Sequence, residues 1–352
     1  MKVAIITDQH AGARNDSGVI LDYYEKFYKE TFFPKLDSED ITTLLILGDT
    51  FDRRKFINFN TLKRFKEMFF DELSKRNILT HILVGNHCTT FKNTNAVNSP
   101  DILLKEYPNV NVIDTPQTIM VGGQYICMIP WICTENYQQC FDEIKNTKAP
   151  ICMGHFEISG FSMYKGMAAH EGLDRALFRK FFNTFSGHYH HRSSADSIFY
   201  LGNPYQLTWS DYDDTRGFHV YDIQNFDLTF IPNPNEMFVK IVYDDTILDT
   251  KYTFSDYTNR FVKVVVLNKT DPYKFDKFMD DLYNVNPTDV TIVEDAVDLI
   301  ENVSDDEVTQ SEDTLSILNK FVDSIREDNI DNVRLKNILH EIYVEALNSE
   351  RV

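Results

Sequence analysis

The sequence predicts an α/β fold in which two facing sheets are wrapped by helices as an α/β/β/α sandwich, followed by a small α+β cap and C-terminal helices. Three observations carry this expectation. Strand-like apolar runs first alternate with helix-spaced stretches, the pattern of an open sheet flanked by helices. From residue 111 the rhythm changes to strands with little between them, including a Gly122-Gly123 turn, so a second sheet with hairpins is expected. Five apolar runs also end at once in polar turns carrying metal-type side chains, which is how an α/β sheet presents a site at the carboxyl ends of its strands.

Residues 2–7 read as a buried strand, and residues 19–33 carry apolar and aromatic residues at helical spacing, ended by Pro34. A second strand over 42–47, a helix over 60–76 and a third strand over 78–84 follow, then a short helix over 99–107 with Pro100 in its first turn. Strands are expected at 111–113, 118–121, 125–129 and 151–153, with helices at 135–145 and 173–182, the latter leading into the Gly187 turn. Strands dominate from 198 to 242, with turns at Gly202-Asn203-Pro204 and Pro232-Asn233-Pro234. The smaller unit shows a strand at 261–267, a helix at 272–283 and a strand at 289–293. The division expected is 1–243 for the main unit, 244–293 for the cap, 294–313 for an acidic linker and 314–352 for a helical segment.

A chain of 352 residues is long enough for a sizeable core plus a second unit, because single cores stop growing near roughly 250–300 residues. Hydrophobic content of 43%, with 27 Phe and 18 Tyr, places it among globular proteins. Its apolar runs are strand-sized and the N-terminal one is interrupted by Asp8 and His10, so neither signal peptide nor membrane span is expected and a cytoplasmic location is. Five cysteines without C-x-x-C spacing suggest no disulfide framework and no structural zinc. The net charge of -19 argues against non-specific coating of polyanions, yet residues 294–313 hold nine acidic side chains and no Lys or Arg, leaving -10 elsewhere. A local basic groove remains compatible with that balance.

The polar turns are Asp8 and His10, Gly48-Asp49, Gly85-Asn86-His87, Gly154-His155, and Gly187-His188-Tyr189-His190-His191. At the end of a strand, a spacing of two residues points Asp8 and His10 to one face, and gives His188 and His190 the same relation with His191 pointing away. Taken alone, D-x-H also suits a polar strand-end turn. Asp49 follows a buried strand and is the carboxylate expected to bridge two ions. Two such ions polarise a phosphoryl oxygen and lower the pKa of a water between them. Asn86 offers a neutral amide oxygen, His155 completes the second set, and His87 is free to stay off the metal and donate to a leaving oxygen. Donors that are all nitrogen or oxygen favour manganese, iron or zinc over a soft-metal site.

D-x-H, G-D-x-x-D, G-N-H, G-H and G-H-x-H in this order resemble the calcineurin-like metallophosphoesterase superfamily, so the sandwich expected is a metallophosphoesterase one. Within it the first 240 residues or so resemble the SbcD-type DNA-repair nuclease subunit, particularly its phage members, through segments such as Met128-Ile129-Pro130-Trp131, Gly154-His155-Phe156-Glu157 and Arg216-Gly217-Phe218. The resemblance implies one ion at Asp8, His10, Asp49 and His190, a second at Asp49, Asn86, His155 and His188, and His87 as the catalytic histidine. It also implies two Mn2+ with Mg2+ as the alternative, and 3′-to-5′ exonuclease and single-strand endonuclease activity in recombination and double-strand-break repair. Members usually carry Asp after G-N-H, where this chain has Cys88, and a thiol orients a protonated histidine poorly.

Arg53, Arg54, Lys55 and Lys92, with Lys63, Arg64 and Lys66 on the next helix, are candidates for DNA phosphates, and Tyr164 and Lys165 for a similar part. Leu315, Leu318, Val322, Leu335, Leu339 and Ile342 form apolar stripes that, by the resemblance, dock on an SbcC-type, SMC-like ATPase, with the chain as a homodimer inside a heterotetramer. The substrate expected is DNA, as single strands and duplex ends. Two other readings stay open: a protein phosphatase or nucleotide phosphodiesterase of the same superfamily, since Gly48 to Arg53 resembles G-D-x-x-D-R, and a non-catalytic assembly subunit.

Overall fold

Two six-stranded sheets lie face to face because their strands alternate side chains between two destinations. In the strand Lys2–Ile6, Val3 and Ile5 enter a cluster with Leu45, Leu83, Met128, Met153 and Phe185, drawn from both sheets. Ala4 and Ile6 turn the other way and join Tyr24, Phe27, Phe65 and Phe69 from the helices. On the far side of the second sheet, Cys127, Ile129 and Cys152 pack with Cys140 and Ile144 of the helix Tyr137–Asn146. Strands buried on both faces read as unbroken apolar runs, which is why the sequence signal was strong here. The computed structural model describes residues 1–164, 167–169, 172–247 and 252–294.

The first sheet has the spatial order Asp227–Pro232, Gly217–Asp222, Lys2–Ile6, Thr43–Ile46, Leu79–Leu83, Val110–Ile113. Its last four strands are parallel, and the other two continue it antiparallel. The second sheet has the order Ser193–Ala195, Ile198–Tyr200, Asn183–Gly187, Ile151–His155, Gln124–Ile129, Gln117–Val121, with a parallel centre. The carboxyl ends of the parallel strands therefore supply every polar turn singled out above. A third, parallel sheet of Phe238–Asp244, Phe261–Asn268 and Asp289–Val293 is covered by the helix Pro272–Tyr283, whose Phe275, Phe278 and Leu282 meet Val262 and Val264. The strand Phe238–Asp244 thus pairs with the smaller unit. Arg14, in the loop beyond His10, lays its guanidinium over the rings of Phe238 and Phe261 at 5.5 and 5.2 Å.

Three helices differ from expectation, and the one expected over 99–107 ends at Leu103, because Leu104 leaves helical geometry while its N–H donates to the Pro100 carbonyl. The one expected to stop at Pro34 runs on to Ser38, because a π-turn over Tyr28–Phe32 intervenes and Phe33 N–H donates to the Tyr28 carbonyl. That extra residue places Pro34 in the first turn of a new helical segment, where its missing N–H costs nothing. The helix expected over 173–182 is only a 3-10 turn, Arg175–Phe178, capped by the Asp174 carboxylate on Ala176 N–H. Leu173 is held extended instead, exchanging backbone hydrogen bonds with Glu157 and Ser159. Lys165, His170 and the stripe residues Leu315, Leu318, Val322, Leu335, Leu339 and Ile342 lie outside the described residues, as does the acidic segment beyond Glu294.

Candidate metal centre

Asp8, His10, Asp49 and His188 all adopt positive φ, at 52°, 45°, 47° and 85°. The strand ends at Ile6, so Asp8 and His10 converge through a left-handed turn and not through the strand pleat that their spacing suggested. Such backbone costs roughly 1–3 kcal/mol per residue and persists where the surroundings hold it. Here the holds are backbone hydrogen bonds between the turns: Asp8 N–H to Gly48 O at 3.1 Å and His10 N–H to Asp49 O at 2.9 Å. His188 N–H donates to the Asp8 carboxylate, 3.1 and 3.0 Å from its two oxygens. Gly48 has φ +107°, and a Cβ there would stand 2.3 Å from His155 Nδ1, so the turn before Asp49 admits no side chain.

The turns gather two groups of potential ligands, Asp8 with His10 and His190, all buried, and Asp49 with His155 and the half-buried His188, the ligand atoms of each lying within 4.8 Å of one another. His10 and His190 meet Nε2 to Nε2 at 3.0 Å. In the other group Asn86 Oδ1 lies 2.8 Å from His155 Nε2 and 3.0 Å from His188 Nδ1. Asp49 connects the groups: Oδ2 is 3.2 Å from His155 Nε2 and 4.0 Å from His10 Nε2, while Oδ1 accepts from His87 N–H at 2.8 Å. His87 closes a third group with His10 and Asp52.

Proton accounting shows what this set of donors is suited to. His155 Nδ1–H donates to the Leu47 carbonyl at 2.8 Å, so a neutral ring turns its Nε2 lone pair onto Asn86 Oδ1 and the Asp49 carboxylate. Three lone pairs then face one point, an arrangement that calls for positive charge. Burial lowers the affinity of His155 for a proton, but Asp49 beside it outweighs this and lifts its pKa to about 9. Burial alone would push the Asp49 carboxyl up; His155, His87 and His10 around it hold it well below the usual range. His190 is held well below an ordinary histidine by burial and by His10 and Arg216 nearby. Nitrogen and oxygen donors around buried carboxylates fit one divalent cation in each group.

The remaining candidates separate. Arg53 is tied to Asp16 at 2.8 Å and Asn15 at 2.9 Å, and Arg64 and Lys66 are tied to carboxylates of Asp22, Glu25 and Glu106. Arg54 is half-buried with Nη1 unpartnered among the described residues. Lys55 and Lys92 are exposed. His191 turns away from the groups to Asp214 at 2.7 Å. Cys88 is fully buried, and burial with Asp49 nearby pushes its thiol up to about 12.

Two residues with a part in the site had no role assigned from sequence. Asp52 Oδ1 takes His10 Nδ1 at 3.2 Å and its carbonyl takes His87 Nδ1 at 2.6 Å, and Glu157 Oε1 lies 3.1 Å from His188 Nε2. The second Asp of G-D-x-x-D was the available signal for Asp52. For Glu157 the signal was its place in the segment Gly154-His155-Phe156-Glu157, two residues after His155.

A largely buried, two-lobed nitrogen and oxygen site at the carboxyl ends of strands from two facing sheets is the arrangement of a dinuclear phosphoesterase, and the chain belongs to the calcineurin-like phosphoesterase family, whose pattern matches residues 1–192. It is 34% identical to exonuclease subunit 1 of Enterobacteria phage T4 over 270 residues, which is 76% of this chain and 77% of that one. A shorter match, 32% identical over 116 residues and covering 28% of this chain and 31% of the other, is to the SbcD subunit of the SbcCD nuclease of Staphylococcus epidermidis.

Proposed function

We propose that this chain is a divalent-metal-dependent DNA nuclease, the phosphodiesterase subunit of a recombination and repair complex. The observation that carries the proposal is Asp49 standing between two ligand groups in a chain related to a phage exonuclease subunit over three quarters of its length. One ion is assigned to Asp8, His10, Asp49 and His190, the other to Asp49, Asn86, His155 and His188, with manganese preferred and magnesium the alternative. When bound, two such ions supply Lewis acidity to a phosphoryl oxygen and acidify a water.

The chain's own residues do the rest. Asp52 and the Leu47 carbonyl fix which nitrogen of His10 and of His155 faces the centre. His87 donates Nδ1–H to the Asp52 carbonyl, so Nε2 is the atom that exchanges a proton with the leaving oxygen. The half-buried Arg54, close enough to Asp49 to feel its charge, and the exposed Lys55 and Lys92 are proposed to meet DNA phosphates, with Arg53 contributing once released from Asp16. Residues 1–243 would carry the chemistry and 244–293, joined by the strand Phe238–Asp244, the DNA-facing cap. The segment 314–352 is proposed to dock on an SbcC-type ATPase across the linker 294–313. Phe56, Phe59, Phe91 and Ile102 are 53–86% exposed, Phe56 and Ile102 lining one cavity together, and this apolar surface supports the homodimer expected within a heterotetramer. No helix among the described residues is long and apolar enough to cross a membrane, and a cytoplasmic place of work, in a host cell if phage-encoded, suits the reading.

The test is cleavage of single-stranded and duplex oligonucleotides beside a phosphopeptide, with manganese and after chelation. Metal-dependent release of nucleotides supports the nuclease, whereas hydrolysis of the phosphopeptide alone would assign a phosphatase instead.

A further inference from the structure

Beside the metal centre lies a cavity of about 180 Å³ bordered by Trp131, Ile132, Tyr137, Phe156, Glu157 and Leu173. His155, itself fully buried, forms part of its wall, so the cavity lies next to a residue assigned to the second ion. The Trp131 ring centroid is 5.5 Å from that of His188 and 6.3 Å from that of His155. Resting on the nuclease reading above, we propose that this cavity holds one nucleobase of the substrate, next to the phosphate under attack, with Trp131 as its stacking platform.

Size, wall and rigidity argue for this occupant. The volume is below the roughly 300 Å³ at which sites for whole small molecules begin, so it suits a single flat ring system. The wall is mostly aromatic and aliphatic, and its one carboxylate, Glu157, sits at the side facing His188. Trp131 is presented by a fixed backbone: its N–H donates to Val84 O at 2.7 Å, and its carbonyl accepts from the side-chain amides of Asn95 and Asn136 at 2.9 Å each. A fixed ring accepts any base through its π-face, which suits an enzyme that degrades DNA without reading it. A sugar spans the step from a phosphate at the ions to a base in the cavity, so filling it would also align the scissile bond.

The test uses the full chain with manganese and single-stranded oligonucleotides identical except for one abasic analogue, placed in turn at the terminal and penultimate positions. The parent should cleave the intact strand about tenfold or more faster, in kcat/KM, than one of the abasic strands. Trp131→Ala should bring that ratio close to one, and Trp131→Phe, which keeps a ring, should retain most of it. A parent that makes no distinction at either position, or a Trp131→Ala variant that keeps the parent's ratio, overturns the base site while leaving the nuclease intact. Failure of the parent to cleave any strand would instead remove the nuclease reading, and this proposal with it.

Discussion

His10 and His190, 180 residues apart in the chain, face each other Nε2 to Nε2 at 3.0 Å. With His10 Nδ1 turned to Asp52, both rings offer nitrogen to the same point, and Asp8 Oδ1 stands 4.0 Å from His190 Nε2. Ligands arranged before the ion arrives make binding to the folded state a stability term. Saturation at about 100 times Kd adds roughly 2.7 kcal/mol. Melting after chelation, with and without added manganese, should show a clear rise for the parent and a much smaller one for Asp49→Asn, which weakens both groups at once. Equal shifts in parent and variant would contradict the shared role given to Asp49.

Replacing His87 by Asn should lower kcat on DNA by about 10²–10⁴, the usual worth of a positioned acid or base. His87 reaches the Asp49 carboxylate through its backbone N–H, which the substitution keeps, so metal content measured by elemental analysis should stay at the parent's value. Loss of metal together with rate would reassign His87 as a ligand.

Cys88 stands where the resemblance described above leads one to expect an Asp, and His87 has a proton affinity lowered by burial, with the Asp52 carbonyl as partner for Nδ1. A carboxylate nearby raises a histidine pKa. In Cys88→Asp the limb of the pH–rate profile governed by His87 should therefore move to higher pH, with faster turnover near neutrality. An unchanged rate and profile would mean that Cys88 is a small core filler with no bearing on the chemistry.

His219 offers a pH test away from the centre. It is buried on Gly217–Asp222, against the Phe230 ring, and burial with Arg192 nearby depresses its pKa to about 3. A depressed histidine leaves stability whole above the unfolded value of about 6.5 and erodes it as pH falls toward the folded value, because only the unfolded chain takes up the proton. Between pH 7.5 and 5 this one group should cost the parent about 2 kcal/mol in urea unfolding. His219→Phe should lose less over that interval, and an identical loss would show that His219 is not neutral in the fold.

The sandwich was readable because its strands are buried on both faces and end in metal-type turns, so apolar runs and ligand residues coincide in sequence. What periodicity could not show was register. The π-turn at Tyr28–Phe32 carries the helix past Pro34, and the pull of Leu173 toward Glu157 and Ser159 unwinds a helix that its spacing favoured. At the site, residue types were legible, whereas the left-handed backbone that aims Asp8, His10, Asp49 and His188 was not, since Asp and His tolerate that region more often than other side chains but do not require it. Asp52 went unassigned because its partner His10 lies 42 residues upstream.

The gathering of ligands from both layers has a mechanical consequence. Asp8, His10, Asp49 and Asn86 hang from one sheet, and His155, His188 and His190 from the other. A pair of cations there would act as a rivet through the sandwich, resisting any breathing motion that slides the layers apart. The rivet also cannot close early in synthesis, since its last holes, His188 and His190, emerge from the ribosome long after Asp8 and His10.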